Sequence, residues 1–264
     1  MDKGKTQKLD SWSLNELHAA RRNALDRRND PRFANRVTEH VEAIEAEIER
    51  RSLPGMIARF REVYPGGFYG EKQASEEREN KVAASLLCKT LFQCENLSRL
   101  IESKNWIELH DCLKQVVSAT NLIQGSFEKP KLLDKLIQPA TAEVFFEALR
   151  SCLYGDGDFI DRFDDFCDVL DQADLAKWTY ATYIPFLLEP EKYIFVKPEM
   201  LKHCIEKSNH WIVYESRPSG KKYREIIEYA DWLKNKIKEL APRDMIDVHS
   251  FMWYMAPTGK WAES

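Results

Sequence analysis

Lys197 and Asp247 are the side chains of this 264-residue sequence whose local settings mark them as candidates for chemistry. Pro198 can open a helix at its first position, which places Lys197 at the N-cap. Ser, Thr, Asp or Asn is usual there, and a cation meets the positive end of the helix dipole. Such a local inconsistency can mark function, so Lys197 is a catalytic candidate. The plainer account of Lys197 is a solvent-exposed lysine, tolerated at a cost of about a few tenths of a kcal/mol. Asp247 lies in an otherwise apolar helix, so it is either exposed or buried with a partner. An ion pair to an Arg or Lys of another helix is its plainer account. His249, two residues on, points about 200° away from Asp247, so those two do not pair. Asp247 shares a stripe with Ser250 and Tyr254, and His249 shares one with Met245 and Trp253.

The other reactive residue types form no working set. The six histidines include no H-E-x-x-H, and no Cys/His group has zinc spacing. His203 and Cys204 are adjacent, and on a helix their side chains diverge by about 100°. The six cysteines read as buried reduced thiols. Gly155-Asp156-Gly157-Asp158 begins like a calcium loop, yet Asp161 stands where glycine is required and Cys167 where the closing glutamate belongs. Asp158 and Asp161 suit a helix N-terminus instead. Gly66-Gly67-Phe68-Tyr69-Gly70 lacks the Gly-Lys-Ser/Thr ending of a phosphate loop and reads as a turn. We expect neither a metal site nor a cofactor.

A contact surface is the remaining option. Between residues 177 and 224, Lys192, Lys197, Lys202, Arg217, Lys221 and Lys222 lie among aromatic residues, Tyr223 included. Cations interleaved with rings suit backbone tracking and base stacking. A solvated helical face over an aromatic core is the plainer account. The formal net charge of −4 conceals a block at 151–176 with one basic and eight acidic side chains, which repels phosphate.

Helices must position these residues. Gly and Pro are few, at 10 and 11, so turns are scarce and the composition leans helical. The first 53 residues read as a helical hairpin. A Ser13-x-x-Glu16 capping box opens its first helix, Asn29-Asp30-Pro31 breaks the run, and Phe33, Val37, Val41, Ile44 and Ile48 form the second stripe. Residues 54–264 form a larger helical body. Its helices are expected at about 56–64, 75–101, 106–117, 132–137 (ended by Pro139), 142–153, 159–170 and 178–188. Others start at Pro198, at Ser219 as a cap and at Asp244 as a cap, and the tail from Pro257 is irregular. Only Trp211–Tyr214 could be extended. The fold class is thus all-α with about ten helices. No apolar run approaches the roughly 18–20 residues of a membrane span, and Met1–Lys8 is not a signal peptide, so a cytoplasmic protein away from membranes is expected.

Several stretches resemble an uncharacterised bacterial all-helical family over about residues 56–255. They are Tyr64-Pro65-Gly66-Gly67-Phe68, Thr120-Asn121-Leu122-Ile123, Leu153-Tyr154-Gly155-Asp156-Gly157, Trp178-Thr179-Tyr180-Ala181-Thr182, Phe195-Val196-Lys197-Pro198 and Pro242-Arg243-Asp244-Met245-Ile246-Asp247. That resemblance implies no assigned activity. The chain is more weakly similar to the helix-hairpin-helix DNA glycosylase fold, through Leu187–Tyr193, Lys197 and the segment from Asp244 to Trp253. The Gly-rich hairpin that grips DNA in that fold is missing. The expectation is a helical interaction protein acting in a complex or on nucleic acid, without catalysis of its own. The alternative, implied by the glycosylase similarity, is a base-excision enzyme with Lys197 as a nucleophile of lowered pKa and Asp247 as its electrostatic partner. Partners would be nucleic acid or another protein, and the N-terminal hairpin offers a surface for a homo-oligomer.

Overall fold

Helical periodicity accounts for nearly every element. The computed structural model describes residue 9, residues 11–26 and residues 34–256, and these contain thirteen α-helices and no strand. The Asn29-Asp30-Pro31 break, Phe33 and the tail from Pro257 lie outside the described residues. The all-α class stands, and the count exceeds the ten expected. The helix expected over 75–101 is interrupted at Phe92 and Gln93, where Gln93 leaves helical geometry (φ −58°, ψ 149°) and caps a second helix. Pro139 opens a helix in its first turn rather than ending the one before, as its missing N–H allows. Trp211–Tyr214 is irregular, not a strand; Trp211 and Val213 are exposed and have no edge to join.

The hairpin consists of α1 (Leu14–Asp26) and α2 (Ala34–Arg51). Its capping box forms as the sequence implies: the Glu16 amide donates to Ser13 Oγ at 3.2 Å, and the Ser13 amide donates to Glu16 Oε2 at 2.6 Å. Leu9, Leu14, Leu17 and Ile44 make a small apolar cluster separate from the main core. Arg51 ties the hairpin's start to its end by donating to the carbonyls of Trp12 and Leu9, at 2.5 and 2.9 Å.

The body begins with α3 (Leu53–Val63) and a 3₁₀ turn at Gly67–Tyr69. Gly66 enters that turn at φ 90°, a left-handed conformation that suits glycine. One α turn (Glu71–Gln73) and a π turn (Ala74–Arg78) then lead into α4 (Glu79–Leu91). The rest of the body is α5 (Cys94–Glu102), α6 (Trp106–Ser118), α7 (Glu128–Lys135), α8 (Pro139–Tyr154), α9 (Phe159–Gln172), α10 (Trp178–Leu188), α11 (Pro198–Ser208), α12 (Gly220–Lys236) and α13 (Met245–Met255).

All eleven residues of α10 are buried, as its unbroken apolar run requires. It packs chiefly on α4. Helix α13 is nearly as apolar and packs on α3, α11, α12 and the π turn. Asp158, Ser219 and Asp244 cap α9, α12 and α13, each accepting from a backbone amide two or three residues on. No helix among the described residues is long and apolar enough to cross a membrane.

Candidate functional site

Helix α13 carries two buried polar residues on opposite sides, as their spacing demands. On one side lies Asp247, fully buried. Its Oδ1 accepts from Arg78 at 2.9 Å and from the Arg243 guanidinium at 3.0 Å. Its Oδ2 accepts from Nε and the backbone amide of Arg243, at 2.8 and 2.9 Å. Arg78 also forks onto Asp244, at 2.8 and 2.6 Å. Burial raises the Asp244 pKa, but the Arg78 contacts and two backbone amides outweigh it and hold the carboxyl below its ordinary value. This is the structural ion pair expected as the plainer account of Asp247. Both of its oxygens are committed.

On the other side lies His249, 3% exposed, against the rings of Phe186 and Phe195. Neither imidazole nitrogen has a hydrogen-bond partner among the described residues. Burial, followed by the charges of Lys81 and Lys197, pushes its pKa well below the usual histidine value, so the ring is neutral. A neutral imidazole holds one donor and one acceptor. Buried polar groups without partners are rare in folded proteins and call for an explanation.

The explanation offered by the geometry is a cavity of about 80 Å³, lined by His249 together with Glu76, Glu77, Lys81, Asn121, Leu122, Lys197 and Trp253. Four pieces of the fold meet there: the π turn with α4, the loop after α6, the N-cap of α11, and α13. The π turn is defined by the Glu79 amide bonding to Ala74 O, five residues back. Such turns are uncommon and frequent at functional sites. Gln73, just before it, is fully buried and also lacks partners for its amide among the described residues.

Lys81 is 3% exposed and donates to the backbone carbonyl of Glu77, one turn earlier. Its contact with Glu77 Oε2 is looser, at 3.4 Å. Burial lowers the lysine pKa and raises that of Glu77, so both drift towards their neutral forms. Lys197 sits at the N-cap as expected, with no side-chain cap bond. Its ammonium lies 5.0 Å from the Trp253 ring centroid, and no carboxylate pairs with it among the described residues.

The structure brings Lys197 and His249 together and commits Asp247 to its arginines. Much of the rest of the expected contact surface is buried or paired with carboxylates. Tyr223 is fully buried with its hydroxyl donating to Ile194 O, so its ring cannot stack on a base. Lys222 is buried too, paired with Glu215 and Glu225. Lys192 pairs with Glu189, Lys202 with Glu199 while lying over Tyr214, and Arg217 with Asp168 and Asp171. Lys221 is exposed. Neighbouring carboxylates thus neutralise most of the cations.

Sequence reasoning missed Lys81, Glu76, Glu77 and Asn121. The signal for Lys81 was present: Lys81, Ala84, Ser85 and Cys88 form the buried stripe of α4, and a lysine in such a stripe is unusual. A wider recess of about 370 Å³ opens beside Cys94, Tyr154 and Glu189. It contains no buried orphan, and the Tyr154 hydroxyl donates to Phe92 O at 2.7 Å. Compared with known proteins, the chain matches no family model, no curated protein and no solved structure.

Proposed function

We propose that this protein binds a small, oxygen-rich organic molecule in the cavity beside His249. The observation that carries the reading is the buried, unpartnered imidazole facing a space lined by two amines, two carboxyls and an amide. Left empty of polar partners, that ring costs stability; a ligand that bonds to it recovers the loss. Lys197 supplies an unpaired positive charge for a carboxylate, and Asn121 a neutral donor at the rim. The interaction role expected from the sequence is narrowed to this opening. Of the cations on the expected contact surface, Lys192, Lys202, Arg217 and Lys222 are paired with carboxylates, which weakens the nucleic-acid reading.

Lactate is a suitable probe because it has a carboxylate, a hydroxyl and few atoms. Saturating lactate is expected to raise the Tm of the full chain, by an amount that grows with the logarithm of its concentration. Asn121 is exposed, so Asn121→Trp leaves the core intact while closing the mouth. That variant should keep its Tm without ligand and lose the shift. A shift that survives in Asn121→Trp, or no shift in the unaltered chain, overturns the proposal.

The base-excision reading retains one supporting observation, the place of Lys197 on this cavity. Its electrostatic partner is taken by Arg78 and Arg243. Borohydride treatment with abasic DNA is expected to leave the protein unmodified; a covalent adduct that Lys197→Ala abolishes would restore that reading.

A further inference from the structure

Lys81 has the surroundings of a reacting amine rather than a structural one. It is buried, it opens onto the cavity, and its contact is with a backbone carbonyl, which accepts an N–H and leaves a lone pair free. Glu77 lies one helical turn away, 3.4 Å from the amine and itself largely buried. His249 lines the same small space with an unoccupied ring nitrogen. Lys197 adds a second cation, held over Trp253 rather than by a carboxylate. Nucleophilic amine, acid, base and anion anchor are therefore grouped within about 80 Å³.

We propose that Lys81 forms an imine with a small 2-oxo acid, whose carboxylate is held by Lys197. This rests on the ligand cavity described above and adds the reaction that it supports. The Lys81 nitrogen attacks the keto carbon and the carbonyl oxygen becomes a hydroxyl, giving a carbinolamine. His249 takes the proton released by nitrogen and passes it to that oxygen, which forms the hydroxyl and leaves the ring neutral again. Glu77, in its protonated form, gives a proton to the hydroxyl, which leaves as water as the C=N bond forms, and the proton still on nitrogen then returns to the Glu77 carboxylate. One amine and one ketone enter; one imine and one water leave, with no change of oxidation state. Burial supports the step by keeping the amine below the ordinary lysine pKa and the Glu77 carboxyl above its own.

The test is reductive trapping of the full chain with pyruvate and borohydride, followed by intact mass and peptide mapping. One adduct is expected, equal in mass to pyruvate less one oxygen, on Lys81. Lys81→Met, which suits a buried site, should keep its Tm and lose the adduct. Glu77→Gln should slow trapping by about 10²-fold or more, in line with loss of a positioned acid. Lys197→Met should reduce trapping of pyruvate while leaving trapping of acetone, which has no carboxylate, unchanged.

An adduct on Lys197, or adducts spread over exposed lysines, overturns the proposal. Lactate separates its failure from that of the cavity reading, because lactate has no ketone. If lactate binds in an Asn121-sensitive way and pyruvate gives no adduct, the imine is wrong and the ligand site stands. If neither binds, both fall.

Discussion

Replacing Arg78 by alanine is expected to lower the stability of the chain by about 3 kcal/mol, or roughly 6–12 °C in Tm. Its guanidinium bridges Asp244 and Asp247, two carboxylates at the start of α13 with almost no exposure to water. Removing it leaves negative charge in a low-dielectric setting, a change that breaks folds more effectively than removing a whole ion pair. The estimate stays at the low end because Arg243 still donates to both oxygens of Asp247, and two backbone amides still serve Asp244. The dependence on pH has a definite sign. Asp244 has a depressed pKa when folded, so its contribution is present above about pH 4, the unfolded carboxyl value, and is lost as pH falls through the folded one. Arg78→Ala should weaken that acid-sensitive part. Urea unfolding of the variant, alone and combined with Asp247→Asn, measures both; a loss below about 1 kcal/mol would contradict the network described.

His249→Phe should act in the opposite direction, stabilising the empty protein by about 1–2 kcal/mol at pH 7. The substitution removes two buried polar atoms that have no partners, and the new ring meets Phe186 and Phe195, whose centroids already lie 5.8 and 5.6 Å from the imidazole. The neighbouring cavity relieves crowding. Gaining stability by deleting a polar side chain, while losing the ligand-dependent Tm shift, is the mark of a residue kept for function.

Acid should distinguish the two proteins further. Below about pH 6.5 the unfolded chain protonates this histidine and the folded chain does not, so stability falls with pH by up to about 1.4 kcal/mol per unit from this group. The charged groups around it are Lys81 and Lys197, and Glu76 and Glu77 of the π turn also line the cavity. His210, with a pKa also lowered by burial, contributes in the same direction, so the variant keeps part of the slope. A variant less stable than its parent, or with an unchanged slope, would show that the imidazole is satisfied in a way the geometry does not contain.

Much of this was legible before the fold was known, for identifiable reasons. The caps Ser13, Asp158, Ser219 and Asp244 are local: each is set by its own hydroxyl or carboxylate and the amides two or three residues ahead. The opposite placement of Asp247 and His249 follows from helix pitch alone. Boundaries fared worse where two apolar stripes run nearly in register, as across Phe92–Gln93, where the break depends on tertiary packing. Leu86 illustrates the same difficulty: it fits the apolar pattern of α4, yet it is exposed while Lys81 is buried. The π turn moves the inward face at the head of α4, and an α-helical period cannot anticipate it. The site escaped notice because its members come from four separate parts of the chain, and no short-range spacing joins Glu77 to Asn121, Lys197 and His249.

The hairpin's separate apolar cluster has a dynamic consequence. Leu9, Leu14, Leu17 and Ile44 pack as a small cluster apart from the main core, so α1 and α2 are expected to open at lower cost than the body. Amide hydrogens there should exchange with deuterium long before those of α10, which become accessible only when the whole domain comes apart. Helix α4, the main packing neighbour of α10, carries Lys81, so that amine is held by the buried centre of the body.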